Sequence, residues 1–126
     1  MALEVECAGL AAIRASGEDL QRISQALRDM QSSLKNLDAY AKADMRFHFL
    51  VTQASQNLMM NRLLQTFVVH ILELIKKAGP LRFSHDIGGL CTIQEHISIY
   101  EAIASHNAEQ AMLLMRRHLE GSRGEG

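Results

Sequence analysis

Hydrophobic residues recur along this chain with the three- and four-residue spacing of an α-helix. The segment after Gly17 shows the pattern well, because Leu20, Ile23, Leu27 and Met30 fall on one side of a helix. No stretch shows the strict alternation of apolar and polar residues that indicates a half-buried strand. The pattern therefore predicts an all-α protein, folded as an antiparallel bundle of about six helices.

Residues suited to helix capping separate the six predicted helices. Ser16 and Asp19 have the spacing of a capping box at the start of the second helix. Asp38, Asn57 and Asn107 are expected to cap the third, fourth and sixth helices. We expect helices, with their caps, over residues 2–15, 16–36, 38–57, 58–78, 90–105 and 107–120, with a connector over residues 81–89.

The fourth predicted helix is apolar over more than half of its circumference. Such a helix lies either at the centre of a bundle or in an interface between subunits, because exposing so much apolar surface to water is unfavourable. We therefore expect a homodimer, although a central buried helix explains the pattern as well.

Length and charge narrow the classes of protein to which the chain can belong. Its 126 residues suffice for one domain with a hydrophobic core, which we place at residues 1–120, followed by a flexible tail over residues 121–126. The formal net charge of −1 gives no basic field for nucleic acid or an anionic membrane. No apolar run reaches the ~20 residues of a membrane span and no signal peptide opens the chain, so we expect a cytoplasmic protein without membrane contacts.

Four polar residues lie in or beside the apolar stripes of three predicted helices. Asp44 and His48 are one turn apart on the third helix, so both side chains leave the same face. His96 and His118 fall within the apolar faces of the fifth and sixth helices. Helical bundles build metal sites from such inward-pointing side chains, and imidazoles with a carboxylate suit zinc, nickel, manganese or iron. A single histidine on an apolar face is more often a satisfied core residue, so spacing alone leaves both interpretations open.

Six short motifs follow one another over nearly the whole length of the chain. They are Leu3-Glu4 with Leu10-Ala11-Ala12 and Arg14, Asp19-Leu20, Asp44-x2-Phe47-His48, Ala54-Ser55-x-Asn57, Glu95-His96 with Ala102-Ile103, and Ala111-x3-Met115-x2-His118-Leu119. In this order the motifs resemble the FCD effector domain of GntR-family transcriptional regulators, a group typified by repressors that respond to fatty acids, lactate and pyruvate. Each motif is weak by itself, whereas six in register are fairly specific.

The resemblance implies a divalent metal inside the bundle. In that family an aspartate and three histidines commonly bind the ion, and these positions fall on Asp44, His48, His96 and His118, with none substituted. Zinc is the metal that we expect first, and nickel, manganese or iron fit the same ligands.

The resemblance also implies a small carboxylate as the effector. A divalent ion held by one carboxylate and three neutral imidazoles keeps a net charge of about +1, and open coordination positions on it suit an organic acid. Arg14, Ser55 and Asn57 are candidates to form hydrogen bonds with this anion. A helix cap for Asn57 and a surface charge for Arg14 are the alternatives.

Taken together, the resemblance implies the ligand-sensing domain of a transcription regulator and not an enzyme. The family places a winged helix-turn-helix before this domain, and we expect it to be absent from this chain, so that DNA is bound only through that missing N-terminal domain. One alternative is a helical-bundle metalloenzyme acting on a small organic acid. It would need a further acid or base, and Glu95, beside His96, is expected to face elsewhere. Another is a metal-free dimerisation bundle whose buried histidines bond to one another.

Overall fold

Helices form nearly all of the chain that the structure describes. This computed structural model describes residues 2–63, 65–66 and 86–121, and only the backbone of residues 2, 86–92 and 121. Its helices are α1 (Ala2–Arg14), α2 (Gly17–Gln31), α3 (Leu37–Ala54), α4 (Asp86–Ala104) and α5 (Ala108–Gly121). Residues 58–63 are helical as well, and these ranges contain no strand. The prediction of an all-α bundle is therefore confirmed.

The start of α2 is fixed by the predicted capping box, whereas the start of α3 differs from the prediction. Ser16 Oγ accepts a hydrogen bond from the Asp19 amide, and the Asp19 carboxylate accepts one from the Ser16 amide, both at 3.0 Å. Because α2 ends at Gln31 and turns follow, Asn36 takes an extended backbone and its side chain accepts from the Ala39 amide at 3.1 Å. The expected end of α2 at residue 36 and the expected Asp38 cap are therefore wrong.

Two further expected caps are present, and one connector is shorter than expected. Asn57 accepts a hydrogen bond from the amide of Met60, and Asn107 accepts one from the amide of Gln110, each at 3.1 Å. Helix α4 begins at Asp86, so the last four residues of the expected connector are helical. The rest of that connector, and residues 67–78 of the fourth predicted helix, lie outside the described residues.

Helix α1 packs across the bundle on small side chains. It contacts α3, α4 and α5, while α2 packs on α3 and α4. Its inward face consists mainly of Val5, Ala8, Ala11 and Ala12, all buried, whereas Leu3 is 44% exposed. Because these side chains are small, the backbone of α1 can approach the neighbouring helices closely. Side chains on this face of α1 can therefore reach residues in the bundle interior.

Two residues with a left-handed backbone hold the end of α1. Gln56 (φ 57°) and His106 (φ 60°) each lie in a turn between helices. Gln56 Nε2 donates to the Arg14 carbonyl and His106 Nδ1 to the Ala12 carbonyl, both at 2.9 Å. Because a carbonyl only accepts, Nδ1 of His106 carries a hydrogen. These bonds satisfy carbonyl groups that the end of a helix otherwise leaves unpaired.

The described helices contain none that is both long and apolar enough to cross a membrane.

The contact of Gly9 on α1 with Met112 on α5 generates a stability prediction. A Cβ atom at this position would lie 2.8 Å from Cγ and Sδ of Met112, whereas a Cβ at Gly17 would meet no atom within 4 Å. We expect Gly9→Leu to lower the free energy of unfolding by about 1–3 kcal/mol, because the larger side chain would overlap Met112 and overpack the contact between the two helices. Gly17→Leu, the matched control, should stay within about 0.5 kcal/mol of the wild type. Urea unfolding followed by circular dichroism measures both, and equal effects would contradict the close approach.

Candidate metal centre

Three helices bring the four predicted ligand residues together. Asp44 and His48 extend from α3, His96 from α4 and His118 from α5. One potential ligand atom from each residue lies within 4.8 Å of all the others. The periodicity of α3 explains the first pair, since residues four apart share a face. The described residues therefore contain the expected constellation, and metal binding by it stays a prediction.

Three ligand atoms of this cluster, those of Asp44, His48 and His96, lie about as far apart as ligands of one ion. Oδ1 of Asp44 lies 2.9 Å from Nε2 of His96 and 3.3 Å from Nε2 of His48. The two Nε2 atoms are 3.4 Å apart. Ligands in a tetrahedron around zinc, at bonds of about 2.0–2.1 Å, are separated by about 3.3 Å. One carboxylate and imidazole nitrogens at these separations fit a divalent transition ion.

The three histidines of the cluster are largely buried, whereas its aspartate is partly exposed to solvent. The side chain of His96 is fully buried, and those of His118 and His48 are 6% and 12% exposed. Asp44 is 25% exposed. The ring of Phe47 meets His96 edge to face, with ring centroids 4.6 Å apart. This environment excludes most water, so charges in the cluster interact strongly.

Two glutamates outside the cluster orient two of its histidines. Oε1 of Glu4, on α1, lies 2.6 Å from Nδ1 of His48, and Oε1 of Glu95, on α4, lies 2.6 Å from Nδ1 of His118. A carboxylate in this position accepts from Nδ1 and leaves Nε2 for a metal, as is usual for histidine ligands. Glu95 does face away from His96, as expected, but it contacts the cluster through Nδ1 of His118, which was not expected, and sequence reasoning gave Glu4 no chemical role.

A signal for both glutamates was present in the sequence. Each belongs to one of the motifs on which the family resemblance rests, Leu3-Glu4 and Glu95-His96. Adjacent residues on a helix point about 100° apart, so Glu95 does not share the direction of its neighbour His96. Its side chain instead reaches the next helix, α5, where it meets His118.

Comparison with known proteins identifies the family of this cluster and its bundle. The family model described as the FCD domain matches residues 1–121. The chain belongs to the FCD domain family. This confirms the resemblance drawn from the six motifs, the FCD effector domain of GntR-family transcriptional regulators.

Individual relatives agree with this assignment. The FCD domain is 34% identical over 118 residues to the HTH-type transcriptional regulator LutR of Bacillus subtilis, covering 93% of this chain and 54% of LutR. It is 32% identical over 117 residues to the galactonate operon transcriptional repressor of Escherichia coli, covering 90% and 49%. The chain thus spans about half the length of the curated relatives it matches. These relatives are regulators rather than enzymes, in agreement with the prediction.

A solved structure has the same fold. E. coli McbR/YncC superposes with a TM-score of 0.79 at 13% sequence identity, over 97% of this chain and 61% of that chain. The likeness shows that the helical arrangement of the FCD domain is shared by a much more distant sequence.

The three effector candidates lie at the far end of α3 in this FCD domain. Ser55 follows His48 by seven residues, or about 10 Å along a helix. Arg14 Nη1 donates to the Ser55 carbonyl at 3.0 Å, and Ser55 Oγ donates to the Thr52 carbonyl. Asn57 caps the following helical residues. These side chains bond to the backbone outside the cluster, and their binding of an effector stays a prediction.

The charges in the metal-free cluster stabilise a protonated imidazole. Burial by itself lowers the pKa of His48, but the carboxylates of Glu4 and Asp44 outweigh it and raise the pKa to about 10. Burial would raise the pKa of Asp44, yet hydrogen bonds and charges from His48 and His96 hold that pKa well below its usual range. Burial and the neighbouring histidines lower the pKa of His118. A metal ion bound at Nε2 of His48 would therefore have to replace a proton.

The raised pKa of His48 predicts a pH dependence of the stability of the metal-free FCD domain. An unfolded histidine has a pKa of about 6.5, so a raised folded pKa gives His48 a stabilising contribution that is complete below that value. The contribution is lost as the pH rises from 6.5 toward the folded pKa of about 10. Urea unfolding in chelator should show the free energy falling by about 1 kcal/mol per pH unit between pH 6.5 and 8.5.

The control for this measurement is His48→Gln, which removes the titrating group and should flatten the curve. A wild-type curve that is equally flat would contradict the charge arrangement around His48.

Proposed function

We propose that this FCD domain is the ligand-sensing domain of a GntR-family transcription regulator, with a divalent metal in the bundle core and a small carboxylate as effector. The observation that carries the proposal is the convergence of Asp44, His48, His96 and His118, with one ligand atom each within 4.8 Å. The orientation of two histidines by glutamates adds support, because metal-binding histidines usually have such partners.

The donor set favours zinc, while nickel, manganese and iron accept the same ligands. When bound, the ion supplies a positive charge and open coordination positions to which a carboxylate can add. The partly exposed Asp44 marks the side from which such a molecule enters. The E. coli relative is named for the galactonate operon, and galactonate is a small hydroxy acid, which supports this class of effector.

Regulation of DNA binding requires parts outside this chain. Because both relatives are about twice as long and LutR is named as an HTH-type regulator, we infer that the whole protein binds DNA through a further N-terminal domain. We also infer a homodimer. Leu58, Met59 and Leu63, at the start of the fourth predicted helix, are 75%, 73% and 43% exposed, which favours an interface over a central position.

The origin of the ligand residues suggests how an effector changes DNA binding. They come from α3, α4 and α5, so a ligand at the cluster joins three helices. A shift in their packing would change the spacing of the two DNA-binding domains in a dimer. The effector produces this shift only to the extent that it binds the two arrangements with different affinity.

Elemental analysis tests the metal directly. We expect about one divalent ion per chain in protein purified without chelator or a histidine tag. His48→Ala and His96→Ala should each lose the ion while helicity persists in circular dichroism, because each removes one ligand and leaves the rest of the bundle.

Absence of metal would favour the metal-free alternative. If the wild type held no ion even after incubation with zinc, nickel and manganese, the metal-sensing proposal would fail. Asp44 and the three histidines would then be a buried polar network within a dimerisation bundle.

Binding of the effector should depend on the metal. We expect galactonate, or another small hydroxy acid in a panel, to raise the melting temperature of the metal-loaded domain, whereas the matched uncharged sugars have no effect. Chelation of the metal, or His96→Ala, should abolish this increase, since the carboxylate loses its positive partner.

The same panel tests regulation in the full-length protein. An acid that stabilises the domain should also change the affinity of the intact regulator for its operator. If every such acid left that affinity unchanged, the domain would bind the acid without sensing it.

A further inference from the structure

Helix α1 contributes no ligand to the cluster, yet it contacts one of the ligands. Glu4 on α1 places Oε1 2.6 Å from Nδ1 of His48. The other ring nitrogen of His48, Nε2, faces Asp44 Oδ1 at 3.3 Å and His96 Nε2 at 3.4 Å. The imidazole therefore stands between α1 and the cluster, with one nitrogen toward each.

The two orienting glutamates differ in which helices they connect. Glu95 lies on α4, which already supplies His96, and it binds a histidine of the adjacent α5. Glu4 instead lies on a helix that is outside the ligand set. Its contact with His48 adds a fourth helix to the three that hold the ligands.

The inward face of α1 is otherwise made of small apolar side chains. Val5, Ala8, Ala11 and Ala12 are buried there, and the three alanines each contribute little apolar area. At the other end of the helix, Gln56 and His106 hold its last carbonyl groups. The bond from Glu4 to His48 is thus a polar attachment in the first turn of α1, far from those at its end.

We propose that Glu4 is a positioning residue that couples the attachment of α1 to occupancy of the metal site. This inference rests on the proposed function, namely that the cluster holds a divalent ion. A divalent ion on Nε2 would take the place of the proton there and fix the His48 ring in the orientation that directs its Nδ1 hydrogen at Glu4, so occupancy of the site would secure the attachment of α1. In turn, the Glu4 carboxylate makes His48 a better ligand, and the two effects are equal in free energy.

Two measurements on the same variants test the coupling. We expect Glu4→Ala to weaken zinc affinity about 10- to 100-fold, measured by competition with a chromophoric chelator. Hydrogen exchange with mass spectrometry should show that zinc slows exchange of α1 amides in the wild type, by up to the same factor, and does so much less in Glu4→Ala. Glu6→Ala is the matched control, because Glu6 is exposed on the same helix and should behave as the wild type.

A conservative variant separates coupling from simple packing. Glu4→Gln keeps the shape and an accepting oxygen but loses the charge, so its zinc affinity should lie between those of the wild type and Glu4→Ala. If Glu4 were merely structural, Glu4→Ala would speed α1 exchange equally with and without zinc and leave zinc affinity unchanged. If Glu4→Ala loses helicity, zinc affinity and α1 exchange are compared between Glu4→Gln and Glu6→Gln instead.

The possible results distinguish failure of the Glu4 coupling from failure of the proposed metal-binding function. Zinc binding by the wild type together with unaltered affinity in the Glu4 variants overturns the coupling and leaves the metal site intact. Failure of the wild type itself to bind zinc overturns the proposed function, and the coupling with it.

Discussion

Four polar side chains placed in the interior of a helical bundle must all find partners, and this requirement shapes the structure around them. An unpaired polar group in such a place is destabilising by several kcal/mol, and an unpaired charge by more, whereas a fully paired network can rigidify a core. Here Asp44 faces two imidazoles, and His48 and His118 each have a glutamate at Nδ1. The contacts of α3 with α1 and of α4 with α5 are therefore fixed by polar bonds as well as by apolar packing.

The position of α1 depends on residues that have no polar or reactive side chain. Gly9 lets the helix approach Met112 on α5, and alanines bring its backbone close to the bundle interior. This packing brings the Glu4 carboxylate within 2.6 Å of His48. The packing of small residues and the contact of Glu4 with the cluster thus depend on each other, because Glu4, Ala8 and Ala11 lie on one face of α1.

The sequence predicts the parts of this arrangement that are local. Four-residue spacing places Asp44 and His48 on one face, and apolar stripes place His96 and His118 inward. It does not predict contacts that depend on how helices meet: Glu4 and His48 are 44 residues apart, and Glu95 reaches a residue 23 positions away. The predicted start of α3 was wrong for a related reason. Asn and Asp are similarly good N-caps, so the choice between positions 36 and 38 is decided by where α2 ends.

The charges around the cluster give a physical reason for a cation to enter it. Three carboxylates, those of Glu4, Asp44 and Glu95, lie within hydrogen-bond distance of its histidines. In the metal-free state a proton held on His48 offsets part of this negative charge. Exchange of that proton for a divalent ion raises the charge of the site by one, and in a water-poor interior this reduces the residual repulsion between carboxylates.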